Sequence, residues 1–224
     1  MSNFLNPDNR FFSLMGKVWD VFVINMIWLV LCLPIVTIIP ATTALYYTMV
    51  KVIRRERGYV MKEFFRSFKR NFRQGSGISI LAVVTTFVLY VDFRYSLLLI
   101  EEGKSTGNTF LGIFLVIAFL AAAVFMYISP VLSRFDMKFG ALLKTSFYMA
   151  TRHLLTTLGL LVLAIAVGLG CYLVVPGVFL LPVVGTLLAS FFLERVFKKY
   201  MPEKEESTEG STEDNREKDE WYLE

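Results

Sequence analysis

Long apolar runs separated by short polar or proline-containing breaks fill the first 200 positions of the chain. A bilayer core of about 30 Å is crossed by about 20 helical residues at about 1.5 Å each. By that measure residues 18–39, 77–100, 110–134 and 154–175 each predict a spanning helix. A further run at 178–197 follows the break Pro176-Gly177, and a shorter one at 41–57 follows Pro40. Proline belongs at or just before a first helical turn, where its missing N–H has no partner to lose. The first run is too long for a signal-peptide core and no small-residue cleavage site follows it, so it reads as a retained helix.

Lys and Arg collect on the cytoplasmic side of a membrane. Arg54, Arg55, Arg57, Lys62, Arg66, Lys69, Arg70 and Arg73 lie between the second and third runs. Arg134, Lys138, Lys144 and Arg152 lie between the fourth and fifth, and Arg195, Lys198 and Lys199 follow the sixth. The opposite connections hold one basic residue, Lys104. The expectation is an all-α polytopic bundle in the bacterial plasma membrane: six helices in three hairpins, joined by cytoplasmic amphipathic helices, with both termini inside. If residues 41–57 do not span, five helices with an external N-terminus fit as well. A weak repeat favours six: a shift of 79 residues lays Ser67-Phe68 on Ser146-Phe147, Arg73 on Arg152 and Arg55 on Arg134. Each repeat would comprise a descending helix, a surface helix and an ascending helix.

The first surface segment, YVMKEFFRSFKRNFRQ at 59–74, places Met61, Phe64, Phe65, Phe68 and Phe72 at three- and four-residue spacing. Lys62, Arg66, Lys69, Arg70 and Arg73 occupy the rest. Such a helix suits the membrane interface, with Phe in the acyl boundary and cations at anionic headgroups. It serves either as a positive-inside anchor or as a docking surface for a cytoplasmic protein. The second segment, 139–153, is less basic.

Composition agrees with a lipid setting. Hydrophobic residues make up 55% and charged residues 19% of the 224 positions, against about a quarter charged in soluble domains. Mean hydropathy is +0.57. These values argue against a cytosolic enzyme, a nucleic-acid-binding domain or a disordered chain. Residues 203–224 carry ten acidic and three basic groups, whereas residues 1–202 carry nine acidic and 20 basic. The domains are therefore 1–202, the membrane bundle, and 203–224, an acidic cytoplasmic tail expected to be disordered. The basic excess beside apolar runs points to anionic lipid as partner rather than nucleic acid. Cys32 and Cys171 sit within apolar runs and read as packing residues.

Ionisable groups inside a span are costly and so are candidate sites. Asp20, three residues after Lys17, and Glu194, four before Lys198, have local partners at helical spacing. Asp92 and Arg94 do not. Counting from Gly77, Asp92 lies about 22 Å up its helix, level with Thr37 measured from Val18. The candidate polar cluster is thus Thr37, Thr42, Thr43, Tyr46, Tyr47, Asp92 and Arg94, around the break between Pro34 and Tyr47. The plainer alternative takes Asp92 and Arg94 as interfacial groups stabilising a bend. The Ala164, Ala166, Gly168 and Gly170 series permits close helix packing. His153, the single histidine, has no second histidine or nearby carboxylate in sequence. No P-loop, nucleophile elbow, paired-carboxylate or metal-ligand spacing is present, so no enzyme activity, cofactor or metal is expected.

The segments NMIWL (25–29), LPIVTIIPATTALYY (33–47) and FFRSFKRNFRQ (64–74) resemble the YesL-like family of bacterial integral membrane proteins, a domain of unknown function. Asn25, Pro34, Thr37, Pro40, Tyr46, Phe68, Asn71 and Phe72 stand at its recurrent positions, and Ile39 stands where the family often has Gly. The resemblance covers roughly residues 3–95; the later helices are similar mainly in hydropathy. It implies genes set beside sugar-uptake transporters and polysaccharide-degrading enzymes, and therefore a non-catalytic accessory or regulatory partner of carbohydrate uptake. The alternative is a small-solute transporter or channel with its polar site at Asp92 and the proline-broken hairpin.

Overall fold

The computed structural model describes residues 10–55 and 58–200, and among these all regular structure is helical. The acidic tail, 203–224, lies outside the described residues. Helix α1, Arg10–Cys32, ends where Pro34 takes extended backbone, φ −77° and ψ 122°. A residue before proline is driven out of the helical region, so Leu33 is where α1 stops. A 3₁₀ turn at Ile35–Thr37 leads into α2, Ile38–Thr48, which widens into a π-turn at Met49–Arg54. Helix α3 is Val60–Glu101 and α4 is Thr106–Arg134. Helices α5, Phe139–Arg152, α6, Leu154–Leu173, and α7, Leu181–Phe197, complete the chain.

Four segments are long and apolar enough to cross a membrane: Ile35–Arg54, Val60–Glu101, Thr106–Arg134 and Leu154–Leu173. In the last three only 11%, 17% and 11% of the most apolar stretch is buried by the protein itself. Side chains such as Val84, Phe87, Tyr90, Val116 and Val162 face outward. Water does not tolerate apolar surface of that extent on a stable monomer, whereas hydrocarbon does. The protein is a multi-pass membrane protein. Helix α7, at 17 residues, rises about 26 Å and falls short of the core thickness.

The surface segment 59–74 is not a separate helix. It runs unbroken into the apolar 77–100 stretch as α3, 42 residues and about 63 Å long. The sequence QGSG at 74–77 reads as a breaker, yet it stays helical, because Gly75 is a notch. A Cβ there would lie 2.9 Å from Pro40 Cδ and 3.0 Å from Pro40 N. The Ser79 hydroxyl meets the same end of α2, accepting the Ile39 N–H at 3.1 Å. Helix α2 therefore packs antiparallel along residues 60–79 of α3, and the C-terminal part of α3 pairs with α4. Phe93 stacks near Phe114 and Tyr95 near Phe110 there, with ring centres 5.5 and 6.1 Å apart. The second surface segment does stand alone, as α5, ended by His153 at φ −112° and ψ 51°.

The protein-facing side of α3's first half also differs from the Phe stripe. Val60, Glu63, Phe64, Ser67, Asn71, Gly75 and Ile78 are buried, while Met61, Phe65 and Phe72 are exposed. Phe64 packs with Ile24, Leu45, Met49 and Val183 in a cluster shared by α1, α2, α3 and α7. A larger cluster, including Tyr46, Ile78, Tyr127, Leu142, Leu160 and Phe197, joins α2 to α7.

The notch predicts opposite signs for two neighbouring substitutions. Gly→Ala in a helix interior gains about 0.5–1 kcal/mol intrinsically. At Gly77, where the nearest atom to a Cβ is 4.0 Å away, Ala should raise the thermal midpoint in detergent. At Gly75 the clash with Pro40 costs about 1–3 kcal/mol, and Ala should lower it.

Candidate functional site

The chemistry of the described residues concentrates in a buried polar layer where α2, α3, α4 and α7 meet. Its centre is Glu194, 2% exposed, one turn from the end of α7. Arg134, the last residue of α4 and 4% exposed, donates Nε–H to Glu194 Oε1 at 2.9 Å and Nη2–H to Oε2. Tyr46 donates its hydroxyl to Oε1 at 3.0 Å, and Arg55 Nη2 lies 3.8 Å from Oε2. A carboxylate removed from water costs several kcal/mol unless its lone pairs are met by cations and donors. Here they are met from three separate elements. Beside it, Lys51 Nζ lies 3.0 Å from Glu63 Oε2 and donates to the Tyr47 hydroxyl at 3.1 Å; that hydroxyl donates to Glu63 Oε2 at 3.4 Å. Adjacent tyrosines thus serve two buried carboxylates, one on α7 and one on α3.

Glu194 was expected to pair with Lys198, one turn on; its partners are instead Arg134 and Tyr46, which are 60 and 148 positions distant. Arg55 and Arg134, expected to be topology-setting cytoplasmic cations, are repeat-related residues that converge on this one carboxylate. Ser67 and Ser146, also matched by the repeat, are both buried. The 79-residue shift was the signal in the sequence for this site, although nothing in it named Glu194 as the shared partner.

The structure divides the expected polar cluster. Thr37 sets its hydroxyl against the carbonyls of Leu31 and Pro34 and so caps the broken end of α1. Thr42 and Thr43 donate to the carbonyls of Ile38 and Ile39 at 2.7 and 2.8 Å, and Trp28 Nε1 donates to Thr42 at 3.3 Å. Tyr46 and Tyr47 belong to the buried layer. Asp92 and Arg94 are not brought to any of these. Both are exposed on α3, and Asp92 stands 13 residues beyond Ser79, about 20 Å along the axis. The reason is register: the Pro34–Tyr47 break lies beside the start of α3's apolar stretch, whereas the sequence count set it level with the end.

The five cations Lys62, Arg66, Lys69, Arg70 and Arg73 are all exposed. At 100° per residue they fall within an arc of about 100°, its centre about 135° round α3 from the centre of the buried face, with Arg70 nearest that face. Arg70 Nη2 pairs with Asp136 at 3.0 Å, and Gln74 Nε2 donates to the Met137 carbonyl at 2.9 Å, tying this helix to the α4–α5 connection.

Two further features complete the geometry. A cavity of about 320 Å³ opens between α2, α4, α6 and α7, lined by Thr42, Tyr46, Met126, Leu160, Ala164 and Gly185 among others. His153, which sequence left without a partner, meets the Tyr200 hydroxyl at 2.9 Å. No group of three or more His, Cys, Asp or Glu able to hold a metal occurs among the described residues.

Loss of either partner of a buried ion pair typically costs about 3–5 kcal/mol. Glu194→Gln and Arg134→Met should each lower stability by that order, measured by reversible unfolding in mixed detergent. The double substitution should cost clearly less than the two losses added together. His153 gives a pH test. Burial, then the positive charges of Lys199 and Arg152, hold its pKa below the ordinary 6.5. Because the unfolded chain binds this proton more tightly, stability is full above 6.5 and declines as pH falls below it. A histidine NMR titration should give a midpoint below 6.5, moved upward by Lys199→Gln.

Comparison with known proteins places these features in context. Residues 21–93 match the family described as "Protein of unknown function, DUF624". That stretch takes in Asn25, whose Nδ2 donates to the Val178 carbonyl at 2.9 Å, together with Pro40, Tyr46 and Asn71. The chain is 29% identical to the uncharacterized protein YesL of Bacillus subtilis over 181 residues, covering 79% of this chain and 83% of that protein. It is 28% identical to the uncharacterized protein YteU of the same organism over 146 residues, 63% of this chain and 64% of that one. No solved structure matches. The chain thus carries a DUF624 domain and is a distant homologue of YesL and YteU.

Proposed function

We propose that this protein is a non-catalytic accessory of a plasma-membrane assembly, docking a partner on the cationic face of α3, and that the assembly serves carbohydrate uptake. The observation that carries the docking part is the five-cation arc on one unbroken helix, exposed along its whole length. Apart from Arg70, which reaches Asp136, a stripe so exposed adds little to bundle packing, and it is held at a fixed angle to the spanning part of the same helix. It suits a partner with an acidic surface, and the anionic headgroups beside it. The assignment to carbohydrate uptake is supported by the genomic setting that the YesL-like resemblance implies. The non-catalytic reading is supported by the two buried carboxylates. Each is already engaged by cations and a tyrosine hydroxyl, which leaves neither poised to take a proton from a substrate.

In this reading α1 and α7 join the four long apolar segments to give six spans in three hairpins, with the cations of α3 and the C-terminus in the cytoplasm. Co-purification from native membranes with quantitative mass spectrometry tests the reading. Uptake components should be enriched with the intact chain and reduced at least severalfold with Lys62→Gln, Lys69→Gln and Arg73→Gln combined. Recovery of no uptake component would sink it.

The cavity favours a second reading, a small-solute carrier. It is lined by Thr42 and Tyr46 of the expected polar cluster and lies far from Asp92. Flux in proteoliposomes that is abolished by Ala164→Phe, with folding intact, would move the assignment to this cavity.

A further inference from the structure

Beneath the cationic arc, α2, α3 and α4 enclose a small recess lined by Tyr47, Arg66, Ser67, Arg70, Asn71 and Ser133. We infer that this recess is a binding site for a phosphate group, carried either by a lipid headgroup or by a free anion. The lining has two guanidinium groups, two hydroxyls, a phenol and an amide, and no carboxylate. Its enclosed space of about 10 Å³ holds one water-sized group. A tetrahedral phosphate fits by seating one oxygen there and turning the others to Arg66 and Arg70 at the mouth. Guanidinium is the side chain best matched to that geometry, since its planar fork presents paired N–H donors to two oxygens.

The walls are set for this role by bonds already described or adjacent to them. Asn71 Nδ2 donates to the Ser67 carbonyl at 3.0 Å and to Ser67 Oγ at 3.3 Å, so the Ser67 hydroxyl hydrogen is left to point elsewhere. Ser133 donates to the Pro130 carbonyl at 2.6 Å, and the Tyr47 hydroxyl is engaged by Lys51 and Glu63. Those two hydroxyls have their hydrogens engaged, so Ser67 and Arg66, with Arg70 beside them, are the donors the lining offers an anion. Arg70 keeps its contact with Asp136, whose side chain is 81% exposed and lies outside the lining. A surface pair of that kind is worth about 1 kcal/mol or less, so Asp136 is a weak competitor for the Arg70 guanidinium. The five cations stand in sequence as one undifferentiated surface; the fold singles out Arg66 and Arg70 by giving them a formed pocket.

The inference does not rest on partner docking, because it is read on the purified chain alone. The full-length protein in maltoside detergent is titrated with inorganic phosphate at constant ionic strength, and separately with dihexanoylphosphatidylglycerol, while its thermal midpoint is followed. One or both ligands should raise the midpoint of the unaltered chain. The apparent affinity should fall about tenfold in Arg66→Gln, the loss of about 1.4 kcal/mol expected for one charge-assisted contact. Ser67→Ala should weaken it as well, while Lys144→Gln, an equal charge change on α5, should leave it unaltered. Protection by inorganic phosphate identifies a free-anion site, and protection by the lipid alone identifies a headgroup site. No protection by either ligand, or equal weakening by Lys144→Gln, overturns the proposal and leaves the recess to water.

Discussion

A carboxylate held out of water constrains this fold more than any apolar contact does. Glu194 cannot be buried by α7 alone, since the cations within a turn of it, Arg195 and Lys198, are exposed. Its charge is tolerable only with Arg134 from the end of α4 and Tyr46 from the last turn of α2 in place. The requirement fixes the positions of three helices at once. Hydrophobic burial is non-directional and would accept many sliding arrangements among helices so rich in Leu, Val and Phe. A hydrogen-bonded ion pair accepts very few. The second pair, Lys51 with Glu63, does the same for the α2–α3 hairpin. The apolar clusters hold the bundle together, and the polar layer selects which bundle forms.

The repeat gains physical meaning through the same residue. Arg55 follows the π-turn at Met49–Arg54, and Arg134, 79 positions on, ends α4. Helix α7, which lies outside both units, supplies the single acid they share. The units differ where their arms turn upward. In the second, His153 breaks the backbone between α5 and α6; in the first, the equivalent stretch stays helical because the Gly75 notch accepts Pro40. Positions 79 residues apart thus meet a helix end at His153 and an unbroken helix at Gln74, where Pro40 leans on the turn.

What could be read from the sequence follows from the range of each interaction. Apolar run length fixed the existence of the long helices, and Pro176 marked a break that the chain does make, because those effects act within a few residues; the break expected at Pro40 falls instead at Pro34, with Pro40 inside α2. Glu194 was misassigned to Lys198 for the same reason: local spacing offered a partner, and the true ones lie 60 and 148 positions away. Residues 74–77 looked like a boundary because glycine weakens a helix by itself, whereas contact with Pro40 turns the weakness into a fit. Asp92 and Arg94 were drawn to the proline break by counting rise from each run's start. That count assumes all helices begin at one level, and the pairing of Ile39 with Ser79 shows that α2 and α3 do not. The cation positions of α3 were legible; their angle to the buried face was not, because the Phe stripe was assigned to the acyl boundary and no packed side was foreseen.

The unbroken course of α3 also makes its spacing, and not only its composition, a constraint. Each residue added to a helix turns everything beyond it by about 100°. Gly75 and Ser79 are keyed to α2, and Phe93 and Tyr95 to α4, so the rotation of α3 is set at two heights. The cationic arc at 62–73 inherits that setting rigidly, as a flexible linker before residue 77 would not allow. With the rod clamped in this way, Arg66 and Arg70 come to rest at the seam with α2 and α4 while Lys62, Lys69 and Arg73 stay clear of it. A face built for diffuse attraction to an anionic surface would tolerate rotation by a residue; a face with a pocket at one edge would not, and only the straight, doubly keyed helix keeps that edge in place.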